Sequence, residues 1–556
     1  MNRKEKILAF ISLSISCFLT ILDGTIVNVS LPTMANYFNT DISGISWVTT
    51  IYLIAFSALL LNASKLADIY GRKKLFIIGL FVFGISSALC GMADSLNLLI
   101  VFRALQGIGA AILTPLAIPI GVSTFGKEKI NKLTLIIGMI IAISAAAGPI
   151  LGGILNEYFG YKAIFYVNLP FILIALILGV KYIKESYDPT ISKNLDIIGA
   201  ILIGYGLATI TFVLTKGNDY GWNSNLIILL GISAIVSILA FCIYEKNNKN
   251  SMIEFNLFKK RTFTSSIILI AVAMFSFVPS TYLMNFYFRY QLGYGTIHAG
   301  LTIGIISLVS FLTAPLFNLL AHKTSHKLVS ALSMIFFIAG NFTLTKFNNS
   351  NYMIIIYTAF ILMGLGMGGI TPLYQSSLFE IPEEKTGIAS GILNTLRQLT
   401  MCLSIALIVT LSANYKTEAI SNTTSRITDK ITQNTVLDTE FKTKLIDRIN
   451  LYHEKSTESF SKAELTNTLN REEEKILSTV PVQMKNIVKV KIDKNISETL
   501  KIFDSFNEIK NNESIKVYNK CYFVIGLITI LGLFVVPFNS IKKNQMPSKE
   551  KENIAS

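Results

Sequence analysis

Fourteen stretches of this chain are apolar for long enough to cross a lipid bilayer as a helix, and no other property constrains its fold as strongly. A helix rises about 1.5 Å per residue, so roughly 20 apolar residues cross a hydrocarbon core of about 30 Å. The runs lie near 9–31, 46–63, 75–93, 98–122, 133–155, 162–181, 196–215, 224–244, 262–288, 297–320, 328–345, 351–377, 388–413 and 519–538. Hydrocarbon offers no water to the backbone, which must therefore satisfy its N–H and C=O groups within each segment. With 52% hydrophobic and 15% charged residues, the sequence predicts an all-α polytopic membrane protein, multi-pass in the cell membrane.

The first run follows MNRKEK and superficially looks like a signal peptide with Cys17 as a lipid acceptor. Its apolar character continues to Pro32, and Ser14 stands where a lipobox has Leu, so an uncleaved first helix is expected. The net charge of +15 is unevenly spread. If the N-terminus is cytoplasmic, the short inward loops hold about 25 Lys and Arg and the outward ones about four, which is the positive-inside pattern. Both termini are therefore expected in the cytoplasm, and the basic excess reads as an orientation signal rather than a nucleic-acid footprint. Cys17, Cys90, Cys242, Cys402 and Cys521 all fall in the runs, so no disulfide framework is indicated. There is no metal-ligand spacing, phosphate-binding loop or nucleophile elbow, hence no expected cofactor, metal or catalytic residue. Movement of a solute against its gradient would then draw on an ion or a potential.

Two segments recur. GIGAAILTPL at 107–116 matches GLGMGGITPL at 364–373, and SKLADIYGRKK at 64–74 aligns with NLLAHKTSHKL at 318–328. This period fits two six-helix halves in parallel, with a pair of inserted helices between them and a site near the midplane. The expected divisions are 1–190, 191–250 and 251–556. The second copy has lost charge: His322 aligns with Asp68, His326 with Arg72 and Phe360 with Arg103, and residues 262–377 contain no Asp or Glu.

Charges that remain in the apolar runs are the candidates for function, because an ionisable group in a membrane is costly. Asp23 lies in the first run and Arg103 in the fourth. From run limits near Leu8 and Leu98, Asp23 is roughly 22 Å from the inner face and Arg103 roughly 7 Å below the outer one, which is nearly one level. Ser12, Ser16, Thr20, Asp23 and Ser30 share a helical face, a polar stripe turned toward protein or a watery cavity. Two readings stand: a functional carboxylate, or a pair that only fixes two helices. Arg397 and Arg289 are further membrane-embedded cations. In the fifth run, Gly148, Pro149, Gly152 and Gly153 form a small-residue seam with a proline. Between the second and third runs, Asp68, Gly71, Arg72 and Lys73 form a tight turn in which Asp68 is expected to face a helix N-terminus.

LADIYGRKK resembles the signature loop of the major facilitator superfamily, AAAGPILGG resembles its antiporter signature GPxxGG, and LDGTIVNVSLP, LDIIGAILIGYG and SGILNTLRQL resemble segments of its 14-helix drug:proton antiporters. The resemblance implies a major facilitator fold, with Asp68 and Arg72 latching the two halves in the outward-facing state. It also implies proton-coupled export of lipophilic or amphiphilic compounds by alternating access. Asp23 and Arg103 are then the expected proton-coupling pair, and the 148–153 segment the seal against leak. The expected partners are a lipophilic small molecule, protons and the bilayer, with no indication of an accessory export protein. Export of an endogenous lipid, fatty acid or metabolite is the alternative.

Residues 414–518 form a long polar connection, placed outside by the span count. Phe441, Leu445 and Ile449, and also Leu465 and Leu469, fall at helical spacing and predict short amphipathic helices. The many Asn, Thr, Ser and Lys equally allow an unstructured linker. A loop of this length is expected to act, as a cap over the outer mouth or as the working part of a membrane sensor or scaffold.

Overall fold

The computed structural model describes residues 2–126, 129–187, 196–248, 255–381, 386–455 and 462–539, and among these it contains helices and no strand. In chain order the helices are α1 (Arg3–Tyr37), α2 (Ile42–Tyr70), α3 (Arg72–Met92), α4 (Leu96–Leu113), α5 (Ala117–Phe125), α6 (Ile130–Phe159), α7 (Ala163–Tyr166), α8 (Asn168–Tyr182), α9 (Ile197–Tyr220) and α10 (Asn225–Asn247). They continue as α11 (Arg261–Tyr290), α12 (Thr296–Lys323), α13 (His326–Leu344), α14 (Tyr352–Gly368), α15 (Ile370–Leu378), α16 (Thr386–Gln433), α17 (Thr439–Lys455), α18 (Lys462–Thr479) and α19 (Lys485–Val535). Thirteen segments among the described residues are long and apolar enough to cross a membrane. The 30-residue α6 occupies the position of the remaining expected span.

Helix limits follow local chemistry. Asn2 and Glu5 form a reciprocal capping box at the start of α1, and Asp41, Ser95, Asp196, Ser224 and Ser325 cap α2, α4, α9, α10 and α13. The two copies of the TPL repeat break their helices alike. In the first, Thr114–Leu116 is a turn of 3-10 helix between α4 and α5; in the second, α14 ends at Gly368 and α15 restarts with Pro372 in its first turn. Proline has no N–H to donate to the preceding turn, so a break just before it leaves no donor unsatisfied.

The chain clusters into two compact units. The first, residues 1–346, 353–410 and 522–556, holds the apolar helices. Within it α1 packs on α6 and α8, α2 and α3 on α4, and α3 on α8; α11 packs with α13 and α15; α9 and α10 pair and lean on α2. Asp196 fixes this inserted pair by accepting from Gly199 N–H at 2.7 Å through its side chain and from Asn62 Nδ2 at 2.6 Å through its carbonyl. Among the described residues, the extensive seam between the α1–α8 and α11–α15 groups joins α6 to α12.

The second unit comprises residues 347–352 and 411–521. Its described residues are mostly helical, so the linker reading of 414–518 is replaced by folded structure. Two apolar clusters hold it: Ile427, Ile431, Leu437 and Ile502 with Leu445 and Ile449 packed against them, and Leu469, Ile492 and Ile496 with Phe441. Residues 414–518 contain no Gly and a single Pro, Pro481, so nothing interrupts the helices that those apolar residues recruit. The corner 434–438 is fastened by side chains. Asn434 accepts from the N–H groups of Val436 and Leu437 and donates to Glu498, and Asp438 accepts from Asn495 at 3.0 Å and from Lys491 at 3.1 Å.

Those bonds hold the carboxyls of Asp438 and Glu498 below the usual carboxylate range, by donation from Asn495 and Lys491 in one case and from Lys501 and Asn434 in the other. A lowered folded pKa stabilises above the unfolded value and is lost as pH falls through the folded one. Hydrogen exchange at residues 434–442, corrected for intrinsic rates, is therefore expected to lose protection below about pH 4, and Asp438→Asn to reduce that acid dependence. Ile431 is fully buried, and Ile431→Ala is expected to destabilise this unit by about 2–5 kcal/mol, read as earlier cleavage of 411–521 in limited proteolysis of the whole protein.

Candidate functional site

Asp23 and Arg103 are both completely buried and form an ion pair, Arg103 Nη1 lying 2.5 Å from Asp23 Oδ2. An isolated charge could not stay ionised here, and a bare pair recovers its desolvation only if the remaining hydrogen-bonding positions are filled. Most are filled, directly from α2, α4 and α8 and at one remove from α3. Gln106 Nε2 donates to Asp23 Oδ1 at 2.8 Å, and Asn168 Nδ2 to the same oxygen at 3.3 Å. Arg103 also donates through Nη1 to Gln106 Oε1 at 2.7 Å and through Nε to the Val48 carbonyl at 3.0 Å. Ser87 Oγ accepts from Asn168 at 3.0 Å and from Gln106 at 3.3 Å, and donates to the Phe165 carbonyl at 2.8 Å. The Tyr52 ring lies under the guanidinium, 4.3 Å from its carbon. Arg103 Nη2 and Asn168 Oδ1 are the buried atoms of this network left without a partner.

The polar stripe on α1 is thus turned into protein. Ser12, Ser16, Thr20 and Ser30 are buried along with Asp23, and Ser12 donates to the Ala175 carbonyl of α8 at 2.7 Å. Gln106 and Asn168 were not singled out from sequence, although Gln106 is three residues after Arg103 and shares its face, and Asn168 is a lone amide in an apolar run.

At the turn between α2 and α3, Arg72 Nε donates to Asp68 Oδ1 at 2.6 Å. The carboxylate that receives the N–H groups of Lys73 and Lys74 at the start of α3, at 2.9 and 3.1 Å, is Glu185. Gly71 has φ of 113°, and a Cβ there would lie 2.7 Å from the Glu185 carboxyl carbon. Glycine is therefore required on conformational grounds, and its lack of a Cβ lets the Glu185 carboxylate lie against the turn.

The small residues of α6 serve two different faces. A Cβ on Gly152 would lie 2.8 Å from the Ile26 carbonyl, and one on Gly148 would strike Thr25, so this pair seats α6 on α1. A Cβ on Gly153 would lie 2.6 Å from the Thr296 carbonyl, and Pro149 presents its carbonyl to Gly300, so this pair seats α6 on α12. Thr296 Oγ1 donates to the Gly153 carbonyl at 2.9 Å and to Glu157 at 2.8 Å, and Glu157 also accepts from Ile297 N–H at the start of α12. Further bonds join the groups at this same end: Tyr290 to Asn36, Tyr282 to the Ile42 carbonyl and Asn285 to the Asn28 carbonyl.

Arg289 is in the last turn of α11 and donates to the Tyr294 carbonyl at 2.6 Å, at a helix end rather than mid-span. Arg397 lies within α16, with its guanidinium carbon 6.0 Å from the Tyr374 ring centroid. Among the described residues no cluster of His, Cys, Asp and Glu could hold a metal.

Residues 13–405 match the family model described as Major Facilitator Superfamily. The Riboflavin transporter RibZ of Clostridioides difficile (strain 630) is 31% identical over 406 residues, covering 72% of this chain and 87% of that protein. The Multidrug export protein EmrB of Haemophilus influenzae is 28% identical over 420 residues, covering 75% and 82%, and Multidrug resistance protein 3 of Bacillus subtilis (strain 168) is 30% identical over 379, covering 68% and 74%. Among solved structures, a bacterial homologue of the human lysosomal transporter Spinster superposes with a TM-score of 0.59 at 14% identity, covering 98% of this chain and all of that one, a likeness of fold.

Removing one partner from a buried pair strands the other. Asp23→Asn or Arg103→Gln alone is expected to cost about 3–5 kcal/mol, and the double variant to regain a substantial part of that loss, measured by thermal unfolding in detergent.

Proposed function

Because the chain belongs to the major facilitator superfamily, we propose that it is a proton-coupled exporter of lipophilic or amphiphilic compounds, working by alternating access, with Asp23 as the proton site. The observation that carries this reading is the buried Asp23–Arg103 pair, whose hydrogen bonds tie together helices that would have to shift in such a cycle. Relatives named for multidrug export and resistance support efflux as the direction and drug-like amphiphiles as the cargo.

The cycle follows from charge. Ionised, Asp23 holds Arg103, Gln106 and Asn168, and through them α4 and α8 against α1. Protonated, it offers a weaker acceptor and leaves Arg103 uncompensated, so the same contacts no longer favour this arrangement. A proton shifts the equilibrium only through such a differential between conformers. Asp23 is sealed in the present conformer, so proton exchange belongs to the other one.

With the positive-inside orientation, the end at which α1, α2 and α6 meet α11 and α12 faces outward. Outward opening then parts the Gly153–Thr296 seam and leaves the Gly148–Thr25 seam intact, since α1 and α6 belong to one half. Asp68 and Arg72 bias the opposite, cytoplasmic end. Transport of an endogenous metabolite is the second reading, favoured by the relative named as a riboflavin transporter.

In everted vesicles, Asp23→Asn is expected to abolish substrate-dependent proton release, while Asp23→Glu retains part of it; full proton-coupled efflux by Asp23→Asn would remove the assignment. Gly153→Ala is expected to open the outer seam. In a cysteine-free background, Ser307→Cys, whose native hydroxyl donates to the Ala145 carbonyl at 3.3 Å across that seam, should react several-fold faster with an impermeant maleimide when Gly153→Ala is present.

A further inference from the structure

The membrane-embedded charges do not balance. Asp23 and Arg103 neutralise each other, and Arg289 is at a helix end, bonded to a carbonyl. Arg397 remains. It lies about 12 Å along α16 from Ala389, where the apolar part of that helix begins. No Asp or Glu occurs in residues 262–377 or 386–417, and no described carboxylate pairs with Arg397. Its described support is Tyr374, which meets the guanidinium through a side-chain hydrogen bond and through its ring, at the outer limit of a cation–π contact, while its Nε is buried without a hydrogen-bond partner.

Met401 lies one turn further along the same face of α16 and packs against an apolar cluster drawn mainly from the first half, to which Val278 and Tyr282 of α11 and Cys402 of α16 itself also belong. Cys402 Sγ approaches the Thr50 carbonyl of α2 at 3.9 Å. Arg397 thus precedes by about a turn and a half the point at which α16 touches α2, and it is only partly buried there. Asn394, three residues earlier on that face, accepts from the Tyr374 hydroxyl at 3.3 Å and so steadies the ring beside the guanidinium.

We propose that Arg397, with Tyr374, forms the recognition point for a single anionic group, a carboxylate or another oxyanion, on an aromatic or otherwise apolar cargo. A guanidinium whose Nε–H is unspent offers an edge that matches a two-oxygen anion, and its attraction is strong where water is scarce. The ring supplies a flat apolar wall for the remainder of the cargo. This assignment rests on the exporter reading and narrows its cargo to amphiphiles bearing one negative charge, in preference to cations.

Two dyes that share a xanthene core separate the alternatives: fluorescein, which is anionic, and rhodamine 6G, which is cationic. For the purified, reconstituted protein, fluorescein is expected to bind more tightly. Arg397→Gln is expected to weaken fluorescein at least tenfold while changing rhodamine 6G less than twofold, and Arg397→Lys, which keeps the charge but not the two-point edge, to weaken fluorescein by less than Arg397→Gln does. Thermal unfolding of each variant separates misfolding from lost recognition. Tighter binding of rhodamine 6G by the native protein, equal weakening of both dyes in a stable Arg397→Gln variant, or binding of neither dye overturns the proposal. Substrate-driven proton release lost in Asp23→Asn tests the exporter reading separately, so export with a cationic preference would discard this cargo class alone.

Discussion

Asp23 and Arg103 impose on this protein the problem around which its first six spans are arranged. Two charges withdrawn from water into hydrocarbon are tolerable only as a closely bonded pair with nearly every lone pair and donor satisfied. Each neighbouring helix supplies a polar atom at the required level: Gln106 from α4, Asn168 from α8, Ser87 from α3 and the Val48 carbonyl from α2. The apolar cluster around them, including Leu22, Ile26, Phe83 and Phe165, keeps water away and strengthens the pair it encloses. Fold and charge thus depend on each other. A change in the ionisation of one carboxylate would be felt by every helix that donates to it.

The second constraint is steric and concerns α6. Glycines at positions 148 and 152, four apart, let α1 approach; Pro149 and Gly153, displaced by one residue, present an adjacent strip to α12. One helix therefore carries two close seams roughly 100° apart. Under the proposed cycle they differ in kind, since the first lies within a half and the second between halves. The Glu157 carboxylate over the first N–H groups of α12 adds an electrostatic component to the second seam alone.

Much of this was legible in the sequence. Uninterrupted apolar runs give helices whatever their neighbours, because hydrocarbon permits little else, and depth along two helices was enough to bring Asp23 and Arg103 to one level. What depends on three-dimensional neighbours was less visible. Glu185 caps α3 from about 110 residues away, and no local spacing links them. Asn168 reads as an ordinary amide until α1 is packed beside it. The polar 414–518 connection was ambiguous because its composition resembles a linker, whereas the near-absence of Gly and Pro pointed to helices that its sparse Ile, Leu and Phe could pack.

The two halves of the repeat have diverged in the property that matters most in a bilayer. Arg103 aligns with Phe360, which is fully buried and packs edge-on against Phe288, so the second half has exchanged a charged junction for an aromatic one. Among the described residues it keeps instead a membrane-embedded cation with no carboxylate partner, Arg397, shortly before α16 touches α2. A titratable pair that is sealed from cargo and a fixed cation that cannot lose its proton suit different tasks. The first can change its contacts with protonation; the second can only attract. If cargo bound at Asp23 itself, the proton and the cargo would compete for one carboxylate and the cargo would have to be a cation. With recognition at Arg397, coupling passes instead through the relative positions of the helices, and the cargo can carry the same charge sign as the group that takes the proton.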